Sequence, residues 1–209
     1  MTLSINYNSA VGADSIHDVL TDWAQGFKTA GHGLSNTGGF NGGARELSGE
    51  QYATHGSHQS DYAFIAESNA TQGLNYVYNP GVPAGDNMNH FLWGQLDNVK
   101  LGEVLTGGAG NEFALNDYTV SFNGLDLSAA SDAGRAGNAV QDVIYGLMKG
   151  DVSGLEGALN NLLGGFGLST DSTFDDLAAA GLAHADAPLA ADIDLVGVQD
   201  VAQDWALAA

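Results

Sequence analysis

Alternating apolar and polar positions predict strands over the first two thirds of the chain. In residues 3–7, Leu3, Ile5 and Tyr7 fall on one side, which is the spacing of a half-buried strand. Similar patterns predict further strands at residues 63–67, 73–78, 91–100, 112–115 and 118–122. Because the gaps between them are short, we expect these strands to pair as antiparallel neighbours.

Apolar residues that recur every three to four positions predict one early helix and several late ones. Asp14 or Ser15 can cap the early helix, whose apolar face is formed by Ile16, Val19, Leu20, Trp23 and Phe27. A second helix ends near Gly150 and has an apolar face of Val140, Val143, Ile144, Leu147 and Met148. A third has an apolar face of Leu155, Leu159, Leu162 and Leu163. Ser172 and Asp175 have the spacing of a capping arrangement for a fourth helix at residues 173–180.

Strands early and helices late predict an α+β fold, an antiparallel sheet with helices gathered on one face. Two short segments between these elements are predicted differently: residues 51–54 as a turn of helix and residues 183–188 as a loop. We predict one domain over residues 1–188. The acidic and apolar tail at residues 189–209 has little to pack against.

Charge narrows the range of partners. The chain of 209 residues has 25 acidic and 5 basic residues, a formal net charge of −20. Such a surface repels phosphate backbones and anionic lipid, so neither nucleic acid nor a membrane surface is an expected partner. No apolar run approaches the roughly 18–20 residues that span a bilayer, and the N-terminus does not resemble a secretory signal peptide. The absence of cysteine excludes disulfides and thiolate sites.

The candidate chemistry is concentrated in residues 73–95, GLNYVYNPGVPAGDNMNHFLWGQ. A strand with Tyr76 and Tyr78 runs into a long loop, and His90 opens the next strand. A phenol and an imidazole so placed suit a metal-binding tyrosinate with a histidine hydrogen-bonded to it. They also suit an ordinary hairpin with two aromatic side chains, and these residues alone favour the hairpin.

Other motifs are weaker. His32 lies in a glycine-rich loop, and His55 and His58 lie in a polar run; solvated histidines are the simpler interpretation of all three. Residues 105–113 resemble one degenerate copy of a calcium-binding nonapeptide, although calcium there needs stacked repeats. No catalytic elbow, zinc-binding histidine pair or phosphate loop is present, so we expect no enzyme.

Several segments, in order along nearly the whole chain, resemble the HasA-type hemophores, which are secreted bacterial haem-scavenging proteins. They are SIHDVLTDWA before the loop of His32, GLNY at 73–76, HFLWGQL at 90–96, LTGG at 105–108, VIYGLMKGD at 143–151 and STFDDLAAAG…HA at 172–185. The resemblance implies a curved antiparallel sheet packed on helices, with haem held between two loops at one edge.

The resemblance also implies roles for particular residues. Tyr76 matches the family's axial tyrosine, His32 its axial histidine, and His90 the histidine that hydrogen-bonds the tyrosine. Arg135 matches an arginine near a haem propionate in some members, and Met148 matches a residue of the pocket floor. Phe40, which follows the loop of His32, is a further candidate for the pocket.

The chain departs from the family pattern in both loops. The loop between Tyr76 and His90 is several residues longer, which weakens the expected contact between them. The loop of His32 is shorter between the histidine and Phe40, so His32 can lie far from the iron. Tyr78 is a rival phenol on the same strand.

The implied chemistry suits these residues. Ferric iron favours an anionic oxygen donor, and tyrosine is a known axial ligand of haem. Free phenol has a pKa near ~10, so a tyrosinate at neutral pH needs the ferric charge and a hydrogen bond, here from His90. Protonation of either group as pH falls would weaken the link. We expect ferric haem b as the bound group, its propionates directed to solvent with Arg135 as their basic partner.

The resemblance implies further partners and a destination. The family leaves the cell through a type I (ABC) secretion apparatus that reads a C-terminal signal, which VGVQDVAQDWALAA resembles. An outer-membrane TonB-dependent receptor would take the haem. The predicted function is therefore extracellular haem capture and delivery. The alternatives are a calcium-binding type I-secreted protein that uses residues 105–113, and a haem-dependent enzyme.

Overall fold

The computed structural model describes residues 3–27, 39–42, 47–56, 60–108 and 110–186. Within these ranges nine strands form one sheet. The strands are β1 (Ser4–Asn8), β2 (Gly39–Phe40), β3 (Ser48–Gly49), β4 (Gln51–His55), β5 (Tyr62–Glu67), β6 (Leu74–Val77), β7 (Phe91–Gly108), β8 (Asn111–Ala129) and β9 (Ala183–Asp186). The α-helices are α1 (Ile16–Phe27), α2 (Ala139–Met148), α3 (Ser153–Leu163) and α4 (Phe174–Ala179).

The sheet is centred on the long hairpin of β7 and β8. Its strand order is β2-β4-β5-β7-β8-β1-β9, and β6 pairs with both β3 and β7. The pairs are antiparallel except for β1 with β9, which is parallel. β5 and β6 therefore share one side of β7, because β6 pairs with its first residues and β5 with its middle.

The main core lies between one face of the sheet and the helices. Alternate residues of the strands point into it, such as Ile5, Phe64 and Val99, and the predicted apolar faces of α1 and α2 are buried against them. A small second cluster on the opposite face packs Ala53 and Ile65 beneath Phe113 of the hairpin. The predicted α+β fold with helices on one face is confirmed.

The helix boundaries follow the sequence signals closely. Ser15 caps α1, since its Oγ accepts a hydrogen bond from the Asp18 N–H at 3.0 Å. α2 ends at Met148, and Gly150 takes a left-handed φ of 70° just beyond it. The capping arrangement of α4 was predicted one residue too early, because Thr173 and Asp176 form the capping box.

Two predictions of short segments were wrong. Residues 51–55 form β4 instead of a helical turn, because β2 and β5 supply hydrogen-bond partners on both of its edges. Residues 183–186 form β9 instead of a loop, because their backbone pairs in parallel with β1. β9 depends on a partner nearly the whole chain away, which no local pattern shows, whereas the partners of β4, β2 and β5, lie close to it in the sequence.

Among the described residues, no helix is long and apolar enough to cross a membrane.

Candidate functional site

Tyr76 lies near the end of a short strand at the rim of the sheet. In β6 it is paired in register with Leu92 of β7, and its N–H donates to the Leu47 carbonyl at 2.7 Å. The ring is half-buried against the main core. The backbone is thus held from both sides, which fixes where the phenol can reach.

His90 meets Tyr76 across the mouth of the loop. The Tyr76 Oη and His90 Nδ1 atoms are 2.5 Å apart, a short hydrogen bond. His90 reaches this position with a left-handed φ of 56°, an uncommon conformation for a residue other than glycine. The longer loop of this chain does not keep the two side chains apart.

Tyr78 also contacts His90, but in another way. The two rings lie 5.2 Å apart between centroids and are tilted by 45°, and the Tyr78 side chain is 55% exposed. The hydrogen bond to the imidazole is made by Tyr76, the phenol that the GLNY motif favours over Tyr78.

The surroundings of Tyr76 favour its neutral form. Burial raises the pKa of the phenol above its usual value, and the nearby hydroxyls of Tyr145 and Tyr78 raise it further, whereas the Arg135 charge lowers it. The phenol therefore keeps its proton at neutral pH while it is hydrogen-bonded to His90 Nδ1. A cation bound at this oxygen would be needed to displace the proton.

An apolar floor lies beside the pair. Phe40 and Met148 are 7% and 6% exposed, and Tyr52 joins them. The Tyr52 hydroxyl lies 3.3 Å from Met148 Sδ, and the Tyr52 ring is 5.1 Å from that of Phe40. Tyr52 also lies close enough to Tyr76 for the two phenols to interact electrostatically.

Tyr52 was missed by sequence reasoning. Its signal is the alternation of residues 51–55, which would have placed Tyr52 on the core face had these residues been taken as a strand.

Arg135 lies against the loop between β6 and β7. Its Nη2 donates to the carbonyls of Gly85 and Asp86, each at 2.6 Å, and its backbone N–H donates to the Asn87 carbonyl at 3.0 Å. The guanidinium thus anchors the loop, and its charge also reaches Tyr76.

The remaining candidates divide into two groups. His32, His58 and the tail at residues 189–209 lie outside the described residues. His55 is described, and its Nδ1 lies 2.6 Å from the Gly56 carbonyl, at the end of β4.

The calcium-like turn at residues 105–113 is the tip of the hairpin of β7 and β8. Its Phe113, with Leu105 and Leu115, packs onto the outer face of the sheet. In the described part of the chain no three acidic or histidine side chains are grouped so that they could hold a metal ion. The calcium-binding alternative has no support.

Comparison with known proteins defines the class to which this fold and site belong. The family model described as Heme-binding protein A (HasA) matches residues 1–209. The chain is 43% identical over 196 residues to "Hemophore HasA" of Serratia marcescens, covering 90% of this chain and 97% of that protein. The chain belongs to the HasA family.

Solved structures agree with this assignment. The holo hemophore HasA from Yersinia pestis matches with a TM-score of 0.70 and 27% identity, over 90% of this chain and 100% of that one. An apo structure of the same hemophore matches with a TM-score of 0.71, also at 27% identity and the same coverage. The resemblance noted from the sequence motifs is confirmed.

Proposed function

We propose that this protein is an extracellular hemophore that binds ferric haem b through Tyr76 and delivers it to an outer-membrane receptor for iron uptake. Membership of the HasA family supports haem as the bound group. The observation that carries the proposal is the 2.5 Å contact between Tyr76 Oη and His90 Nδ1, beside an apolar floor.

The chemistry of the pair suits ferric iron. A ferric centre is a hard cation that favours phenolate oxygen, and its charge offsets the burial that otherwise keeps the phenol neutral. His90 Nδ1 is placed to accept the phenol proton or to hydrogen-bond the phenolate. His90 thereby sets the strength of the iron–oxygen bond, as groups hydrogen-bonded to a metal ligand generally do.

The floor suits the flat body of a porphyrin. Phe40, Tyr52 and Met148 form an apolar and aromatic layer behind the iron ligand, and apolar contact supplies most of the binding energy in sites of this kind. At the rim, exposed apolar surface is provided by Leu47, Tyr78, Met88 and Tyr145.

The propionates meet an acidic protein, so we propose that they face solvent. Arg135 is their basic partner in this proposal. Its Nη2 holds loop carbonyls, which leaves other guanidinium N–H groups for a carboxylate.

A titration of the haem-free protein with hemin tests the ligand assignment. We expect one haem per chain and an intense Soret band. Tyr76→Phe should lose most of the affinity because it removes the oxygen donor. Tyr78→Phe is the matched control, since this phenol does not hold the hydrogen bond to His90, and it should keep near wild-type affinity. Equal affinities for the two variants would contradict the proposal.

His32 is the proposed ligand on the opposite side of the iron. His32→Ala should change the absorption spectrum of the haem complex if the histidine ligates. An unchanged spectrum would mean that Tyr76 binds the iron without it.

Peroxide turnover by the complex well above that of free haem would instead indicate a haem-dependent enzyme, whereas we propose a carrier without catalysis.

Residues 189–209 are proposed as the signal for type I (ABC) secretion, after one haem-binding domain at residues 1–188. A chain ending at residue 188 should bind hemin like the full chain but stay inside a host that carries the exporter. Secretion of the truncated chain would contradict this assignment.

The proposed TonB-dependent receptor is tested by growth of receptor-bearing cells on the haem complex as sole iron source.

A further inference from the structure

Asn89 is a buried polar residue next to the site. It is 1% exposed, and its side chain makes four hydrogen bonds. The Oδ1 atom accepts from the N–H groups of Asn79 at 2.8 Å and His90 at 3.0 Å. The Nδ2 atom donates to the carbonyls of Asn79 at 3.0 Å and Val82 at 2.9 Å. This amide uses both of its donors and accepts two hydrogen bonds within the loop.

These bonds join the two ends of the loop between β6 and β7, at Asn79 and Asn89. We call this part the neck of the loop. The side chain of Asn89 bonds both the N–H and the carbonyl of Asn79. It thereby replaces the two hydrogen bonds that a neighbouring strand would make to this residue. Beyond the neck the backbone folds into consecutive turns, with hydrogen bonds from Val82 to Asn79 and from Asp86 to Pro83 at 3.1 and 2.9 Å. The long loop therefore has a defined conformation instead of an open one.

The far side of the loop is fastened separately. The Asn87 Oδ1 atom accepts from the N–H groups of Arg135 and Ala136 at 3.1 and 2.8 Å, and the Arg135 guanidinium holds the carbonyls next to Asn87. These contacts tie the loop to the segment that leads into α2. These contacts restrict movement of the loop as a whole. The position of His90 within the loop then depends on the hydrogen bonds at the neck.

His90 needs such support. Its left-handed backbone conformation is one that side chains rarely adopt. The N–H of His90 is bonded to the side chain of the preceding residue, and this bond holds the backbone in the orientation from which the imidazole reaches Tyr76. Strained residues persist where the surrounding structure holds them in place.

We infer that Asn89 is a positioning residue for the haem site, which holds His90 Nδ1 against the Tyr76 hydroxyl. The inference rests on the proposed function of Tyr76. In this inference Asn89 acts on haem binding only through His90. Removal of the Asn89 side chain should therefore lower hemin affinity as much as removal of the hydrogen bond of His90, and no further.

The first test uses the haem-free protein labelled with 15N-histidine. The Nδ1 chemical shift of His90 reports its hydrogen bond, and Tyr76→Phe gives the reference value for a lost bond. Asn89→Ala should move the signal to that reference. Asn160→Ala is the matched control, because Asn160 fixes a distant loop through Thr170 at 2.8 and 3.1 Å, and it should leave the signal unchanged.

The second test is a double-variant cycle with hemin. We expect Asn89→Ala and His90→Ala each to lower the affinity about 10-fold, near the lower end of the usual range for groups hydrogen-bonded to a metal ligand. The double variant should lose no more than His90→Ala alone, because both changes remove one interaction. Asn89→Asp keeps the two acceptor contacts but not the donors, so it should fall between Asn89→Ala and wild type.

A wild-type Nδ1 shift in Asn89→Ala and Asn89→Asp, or losses that multiply in the double variant, would overturn the inference. If Asn89→Ala does not fold, the aspartate variant and its shift decide the matter. Failure of the proposed function looks different. In that case Tyr76→Phe and His90→Ala would leave hemin affinity unchanged, while the Nδ1 shift in the haem-free protein would still test the role of Asn89.

Discussion

Two tyrosines of the sheet show how one residue type takes different roles. The Tyr76 hydroxyl has a partner in His90 Nδ1, at the rim where a ligand can approach. The Tyr118 hydroxyl is buried on β8 beside Ser121 and Asp186, and within the described part of the chain it makes no hydrogen bond of good geometry. A buried polar atom without a well-formed hydrogen bond adds little to stability. The first phenol is therefore a candidate for binding, and the second contributes through its ring.

Tyr118→Phe should leave stability near neutral pH unchanged or raise it by about 1 kcal/mol, because the hydroxyl makes no well-formed hydrogen bond with its neighbours Ser121 and Asp186. Burial raises the pKa of Tyr118 to about 12. The folded state therefore holds this proton more tightly than the unfolded state, and stability falls as pH rises from about 10 towards 12. In urea unfolding of the haem-free protein, the variant should lose less stability than wild type over this range. Equal losses would contradict the assignment.

At the level of elements, the long hairpin of β7 and β8 contains a β-branched residue that departs from strand geometry. Val104 has a left-handed φ of 57° and is 42% exposed, and its N–H donates to the Asp61 carbonyl at 2.9 Å. A β-branched side chain is strained in this conformation, and its exposed position offers little packing in return. Beyond Val104 the tip of the hairpin, with Phe113, packs on the outer face of the sheet.

Val104→Gly should raise the free energy of unfolding by about 1 kcal/mol, because glycine adopts the left-handed conformation without strain. The gain is reduced by the greater freedom of glycine in the unfolded chain. Val104→Ala, which keeps a Cβ atom, should gain less. Urea unfolding at neutral pH measures both, and a glycine variant less stable than wild type would show that the side chain contributes more than its strain costs.

The same element scale explains how α2 is joined to the site. Leu92 of β7 lies opposite Tyr76, and beyond the end of β8 its backbone faces the helix. Gln141 Oε1 accepts from the Leu92 N–H at 2.8 Å, and Asn138 Nδ2 donates to the Leu92 carbonyl at 2.8 Å. The helix that carries Met148 is thus aligned with the strand next to Tyr76.

For the whole molecule, the dominant quantity is its charge. A net charge of −20 on 209 residues opposes the compact state through repulsion among carboxylates. The same charge keeps the protein away from anionic surfaces. The net charge does not determine the fold, because the fold is stabilised by the apolar core.

Raising the NaCl concentration from about 0.02 M to about 0.5 M should increase the Tm of the haem-free protein by roughly 3 °C, because salt screens this repulsion. The effect should shrink at pH 4, where many carboxylates are protonated. Differential scanning calorimetry at both pH values checks this. An equal gain at the two pH values would indicate a salt effect unrelated to charge.

Local signals in the sequence predicted much of the fold. The apolar faces of α1 and α2 and the alternation of β1 follow from spacing alone, because burial on one side imposes that spacing. β9 could not be found in this way, since it pairs with β1 at the other end of the described chain. β4 was missed although its partners β2 and β5 lie close to it in sequence. For the site, the matched motifs identified four residues as candidates: Tyr76, His90, Met148 and Phe40. The motifs did not predict the distances between these residues.

The sequence by itself determined that residues 73–95 carry a phenol and an imidazole on either side of a loop, and its motifs indicated the HasA family. Residues 73–95 alone favoured an aromatic hairpin, and the matched motifs then favoured Tyr76 as the ligand; whether His90 reaches Tyr76 stayed undecided. The tertiary structure decided that His90 hydrogen-bonds Tyr76 across the loop. The loop itself is bonded through Asn87 to Arg135, about fifty residues further along the chain, and only a folded backbone brings two such residues together.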